Sequence, residues 1–125
     1  MHDEMVVLRG VRFQSLCEHH LLPFVGVAHV GYVPVARVVG LSKLARLVAC
    51  FARRLQIQER MTDQIAQAIM EHLKPKGAAV VIEATHSCMA FRGAAQSDAR
   101  MVTSSMLGVM REKPEARAEF LRLVG

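Results

Sequence analysis

The chain is 125 residues long and 52% hydrophobic, enough to bury one core but too short for two domains of ordinary size. Its 8 glycines and 4 prolines exclude collagen-like or low-complexity character, and no run approaches the ~18 consecutive apolar residues of a membrane helix. The 16 basic and 11 acidic residues leave a charge of +5, which suits an anionic partner; with no Trp and Arg53-Arg54 the only adjacent basic pair, a small anionic ligand is favoured over nucleic acid.

In chain order, Met1-His2-Asp3-Glu4 lacks the basic-then-apolar order of a secretory signal. Glu4 to Ser15 alternates loosely and is rich in β-branched residues, which predicts a strand. Phe24 to Val39 predicts a second strand, with Val25, Val27, His29, Gly31 and Val33 on one face and Ala28, Val30 and Tyr32 on the other. Gly40-Leu41 closes it and Ser42 is the expected N-cap of a helix. That helix carries the stripe Leu44, Leu47, Val48, Phe51 and Leu55. Gln56 to Gln58 interrupts the period. A second stripe, Met61, Ile65, Ala68, Ile69 and Leu73, runs to the stop signal Pro75-Lys76-Gly77. Ala78 to Thr85 predicts a third strand. Met89 to Thr103 holds a fourth around a polar turn at Gln96-Ser97-Asp98. Ser104 to Met110 and Pro114 to Leu123 read as closing helices, with Pro114 at a first helical position.

The expected architecture is therefore α+β, one domain over residues 1–125, with strands and helices in the order strand-strand-helix-helix-strand-strand plus a helical tail. Four strands form one sheet with one covered face. Such a sheet keeps two open edges, and pairing between copies is the expected remedy, so an oligomer is predicted.

The chemistry concentrates in Cys17-Glu18-His19-His20, between the first two strands. Cys17 and His20 have the spacing of two ligands on one metal, and Cys88, at a later strand end, is a candidate third. Thiolate, imidazole and thiolate suit Zn²⁺ and leave a fourth position open, for which His19 is an alternative. The plainer reading keeps Cys17 and Cys88 as small buried hydrophobes and the histidines as hydrogen-bonded loop residues. Cys50, among apolar neighbours on a helix, is expected to be such a buried residue. The 3 cysteines make a poor disulfide framework and point to a reducing cytoplasm. His86 shares a strand face with Cys88 and His19 adjoins the ligand pair, so both are candidates for proton transfer. His29 reads as a strand residue and His72 as a solvated helix end. Glu59 at a helix start and the pair Lys43 and Arg46 on one helix face fit either substrate binding or a solvated surface.

Four strings, Ser15-Leu16-Cys17-Glu18-His19-His20-Leu21-Leu22-Pro23-Phe24, Gly40-Leu41-Ser42-Lys43-Leu44-Ala45-Arg46, Gln56-Ile57-Gln58-Glu59-Arg60 and Glu83-Ala84-Thr85-His86-Ser87-Cys88-Met89, closely resemble GTP cyclohydrolase I. The resemblance implies the tunnelling fold, in which strand and helix pairs assemble edge to edge into a barrel and two pentamers form a decamer. It implies zinc held by Cys17, His20 and Cys88, with His86 and His19 catalytic. Glu59 would anchor guanine, Gln58 and Ser42 would help hold base and ribose, and Lys43, Arg46 and Arg92 would face the triphosphate, in a site shared between subunits. The implied reaction hydrolyses and rearranges GTP to 7,8-dihydroneopterin triphosphate with loss of formate. Relatives carry an upstream helical region with a Thr-Pro-x-Arg motif that is not in this sequence, and Val27, Gln96 and Met101 replace frequent polar residues. These departures imply an intact catalytic centre with a reduced phosphate clamp. The alternative function is a non-catalytic or altered-substrate purine- or pterin-binding paralogue that keeps the zinc site and assembly.

Overall fold

A computed structural model describes residues 4–36, 38–87 and 99–125. Its strands are β1 (Val6–Cys17), β2 (Pro23–Val33), β3 (Leu55–Gln56), β4 (Gly77–His86) and β5 (Met101–Gly108). Its helices are α1 (Leu41–Ala52), α2 (Gln58–Leu73), α3 (Val109–Glu112) and α4 (Pro114–Val124). The sheet runs β3-β1-β2-β4-β5, antiparallel except where β3 pairs with the end of β1.

The alternation in β2 sorts its residues as expected. Phe24, Ala28, Val30 and Tyr32 are buried with Ala78, Val80 and Ile82 of β4 under the apolar stripes of α1 and α2. The opposite face is covered as well, over part of its length. Val33 and Ala79 are buried there against Met110, Ala116 and Phe120. The sheet thus has two covered faces where one was expected. Phe120 lies so close over Gly31 that a Cβ at that position would sit 2.7 Å from its ring.

A bulge between Leu8 and Val11 resets β1, with Gly10 at φ 81 supplying the left-handed residue. Val6 and Leu8 face the α1–α2 side before it; Val11, Phe13 and Cys17 do so after it. The extra residue therefore decides that Cys17 points inward.

Four expectations need correction. Ser104 to Gly108 is strand rather than helix: it pairs in register with Gly77 to Val81, and only Val109–Glu112 turns helical. The run lacks a clear period of its own, and its partner strand decides its conformation. The second strand stops at Val33, short of Val39. Helix α1 begins at Leu41 with Gly40 as its N-cap, so Ser42 lies in the first turn instead. Cys50 is exposed, on the solvent side of α1. The turn expected at Gln96 to Asp98 lies outside the described residues. Among the described residues, no helix is long and apolar enough to cross a membrane.

Candidate active site

The end of β1, the start of β2, the short β3, the start of α2, the end of β4 and the start of β5 all meet at one end of the sheet. The residues singled out in three of the four strings stand there.

The turn from β1 to β2 is tight. Cys17 N–H donates to Leu22 O and Leu21 N–H to Cys17 O, each at 2.8 Å, and Leu21 takes a left-handed φ of 55. Glu18 N–H is bonded to Gln56 O of β3 at 2.8 Å. This fold of the turn returns His20 to Cys17, leaving Nδ1 of His20 3.7 Å from Sγ of the buried Cys17. Two ligands on a tetrahedral Zn²⁺, with Zn–S ≈ 2.3 Å and Zn–N ≈ 2.1 Å, would lie about 3.6 Å apart. The donor types and their separation fit zinc. His19 is exposed beside them, its ring edge-on to that of His20. Among the described residues no group of three or more metal-binding side chains converges. Cys88, the expected third ligand, lies outside those residues, as does Arg92.

His86 is fixed on two sides. Its ring stacks on Phe24, its partner across β2 and β4, at 4.5 Å and an interplanar angle of 4°. Its Nε2 is 2.7 Å from Oε1 of Gln58. Gln58 is buried, and its amide nitrogen donates to Met101 O at 2.9 Å and to Thr103 Oγ1 at 3.1 Å, with Ile82 O at 3.3 Å. Carbonyls only accept, so the nitrogen must face them and Oε1 must face His86. Hence Nε2 of His86 carries a proton and donates it. Thr62 Oγ1 donates to Gln58 O at 2.7 Å, which leaves Thr103 to donate to Thr62 at 2.7 Å and closes the ring of bonds. Burial draws the His86 pKa below its ordinary value, and the charge of Glu59 pulls it back in part.

The resemblance implies that Gln58 helps hold the base or ribose; within this chain its side chain bonds to His86 and the strand ends. These bonds could not be read from the sequence, because Met101 and Thr103 fall in the segment with the least decided pattern. From the sequence, Phe24 is only the start of the second strand and the end of the first string. Glu59, next in line, is exposed in the first turn of α2. Arg60 reaches back to Glu18 at 2.6 Å. Its hydrogen bond, then its charge, holds the Glu18 carboxyl below the usual range.

Ser42, Lys43 and Arg46 do not join this group. They are exposed in the first half of α1, which starts near the far end of β2. There Lys43 shares a groove of about 640 Å³ with Val38, Leu47, Ala68, His72 and Leu73. The 11 residues of β2 place its two ends about 30 Å apart. Within one chain, the groups expected to hold base and phosphate therefore lie at opposite ends.

Comparison with known proteins places this arrangement among relatives. The sequence model of the family described as GTP cyclohydrolase I matches residues 1–125. The protein named GTP cyclohydrolase 1 from Synechococcus sp. (strain JA-2-3B'a(2-13)) is 61% identical over 123 residues, 98% of this chain and 54% of that protein. That of Homo sapiens is 57% identical over 98% of this chain and 49% of its own length. The chain thus spans about half the length of these curated relatives. Among solved structures, the archaeosine synthase QueF-Like in the apo form superposes with a TM-score of 0.67 at 14% identity, covering 86% of this chain and 97% of that one. Dihydroneopterin aldolase of E. coli, in complex with neopterin, does so at 0.61 and 11% identity, covering 82% and 99%. Both likenesses concern the fold.

Proposed function

The chain belongs to the GTP cyclohydrolase I family, with the α+β tunnelling fold, and from that premise we propose that it carries the catalytic end of a hydrolase that opens the purine ring of GTP. One observation supports this reading above the others: His86, locked by Gln58 and Phe24, stands at the same end of the sheet as the paired Cys17 and His20. The proposed products are 7,8-dihydroneopterin triphosphate and formate.

Zn²⁺ would be held by Cys17, His20 and Cys88, the last on sequence alone. Bound there, it would make water nucleophilic near neutral pH. The remaining chemistry belongs to the chain. With Nε2 of His86 committed to Gln58, Nδ1 is the ring nitrogen left to exchange a proton with the purine. The stacked ring and the fixed amide keep that nitrogen in one orientation without reorganisation during the reaction. His19, exposed beside the ligand pair, serves later proton transfers. Glu59 accepts N1–H and the 2-amino group of guanine, a bidentate contact adenine cannot make.

Ser42, Lys43 and Arg46, in the first half of α1, do not join the His86 group within one chain. A neighbouring copy would bring them to the ribose and triphosphate, which Arg92 would also face on sequence alone. The proposed enzyme is therefore a homo-oligomer whose sites lie between chains, a decamer by family resemblance.

Incubation with GTP should release formate and a pterin that fluoresces after oxidation, in equal amounts. His86→Ala should slow turnover by about 10²–10⁴, and Glu59→Ala should abolish guanine-nucleotide binding. A chain that binds Zn²⁺ and GTP yet releases no formate would be a binding paralogue, and the enzymatic reading would fall.

A further inference from the structure

Three acceptors surround one guanidinium. Arg60 Nη2 lies 2.6 Å from Glu18 Oε1 and 3.0 Å from Leu55 O, and its Nε lies 3.3 Å from Gln56 Oε1. Nε–H and Nη2–H lie along one edge of the planar group, so a single rigid fork meets all three. The base it rests on is itself fixed. Gln56 is buried, and its amide nitrogen donates to Phe51 O at 2.8 Å and Gln64 Oε1 at 3.0 Å. From this base the fork extends to one place only in the loop that carries Cys17, His19 and His20. Beyond the loop's own backbone bonds, Glu18 makes its ties to the rest of the fold, by N–H to Gln56 O and by carboxylate to Arg60. Arg60 also follows Glu59 in α2. It thus stands between the loop and the start of the helix that presents the carboxylate.

We infer that Arg60 is a positioning residue: through Glu18 it clamps the Cys17–His20 loop onto the start of α2, and so holds the metal-binding and base-binding parts of the site at one separation. The inference rests on the functional reading above for its consequence, but not for its geometry. Both side chains of the pair are about 40% exposed. An exposed pair adds little to global stability, so its removal should loosen the loop without unfolding the chain.

Two measurements on the full chain test it. Hydrogen exchange of the peptide spanning residues 17–22, without metal, should quicken about tenfold in Arg60→Met and Glu18→Gln, while β4 exchanges as before. The double variant should be no faster than either single one, because each removes the same clamp. Zn²⁺ affinity, read by competition with a chromogenic chelator, should fall about tenfold in the same variants. Arg60→Lys, a single point donor, should recover only part of both effects. For GTP turnover, kcat should fall with KM little changed. Unaltered exchange in the loop, or additive effects in the double variant, would overturn the clamp. If the unmutated chain binds no Zn²⁺, the functional reading fails, whereas the exchange result still decides the role of Arg60.

Discussion

A histidine ring nitrogen that accepts a hydrogen bond can do so only while unprotonated, and His29 is such a case. Its Nδ1 accepts from Gly10 N–H of the β1 bulge at 2.9 Å. Burial draws its pKa below the ordinary 6.5, the charge of Glu83 opposing and that of Arg9 assisting. The unfolded chain therefore takes up the proton first as pH falls. Stability from the neutral ring is intact above about pH 6.5 and declines below it until the folded ring is protonated in turn. The bond is solvent-exposed, so its loss costs at most about 1 kcal/mol. In His29→Asn, an amide oxygen replaces the acceptor and does not titrate. The Tm of the unmutated chain should fall more than the variant's between pH 7.5 and 5, and parallel curves would exclude the role. At this scale the sequence was readable where a residue type announces its chemistry, as with Cys17, His20 and His86. The resemblance named Gln58 for the base or ribose but could not show its bonds to His86 and the strand ends, because these exist only once a second strand brings carbonyls to its nitrogen.

Among the elements, α1, α2 and β4 were legible because each carries its own period. The short β3 and the strand β5 were not. Leu55–Gln56 is strand only by pairing with Leu16 and Cys17, and Met101–Gly108 only by pairing with β4. Such segments take their conformation from a neighbour remote in sequence. The end of α2 offers a local test of backbone preference. Lys74 caps the helix at φ 49 and ψ 53, the left-handed region, with its N–H on Met70 O at 3.2 Å. Glycine suits that position better than any side chain. Lys74→Gly should raise stability by about 0.5–1 kcal/mol, seen as a higher urea midpoint at unchanged slope. A lower midpoint would show that the Lys74 side chain makes an important contact.

For the whole molecule, the question is what becomes of the sheet edges. Beyond the two residues paired with β3, the outer side of β1 has no partner among the described strands, and neither does that of β5. Long open edges recruit further strands. Light scattering should report a closed oligomer several times the mass of one chain, and a stable monomer at micromolar concentration would contradict both this and the shared site. The separation of Ser42, Lys43 and Arg46 from His86 then has a genetic consequence. A chain damaged at His86 still offers an intact α1 to its neighbour, and a chain damaged at Lys43 still offers an intact His86. In the proposed enzyme each alone would lack one half of every site, but mixed in equal parts before assembly they would complement one another. Random placement gives about a quarter of the sites both intact halves. Two alleles, each inactive by itself, would then restore formate release together if the proposed shared site is right.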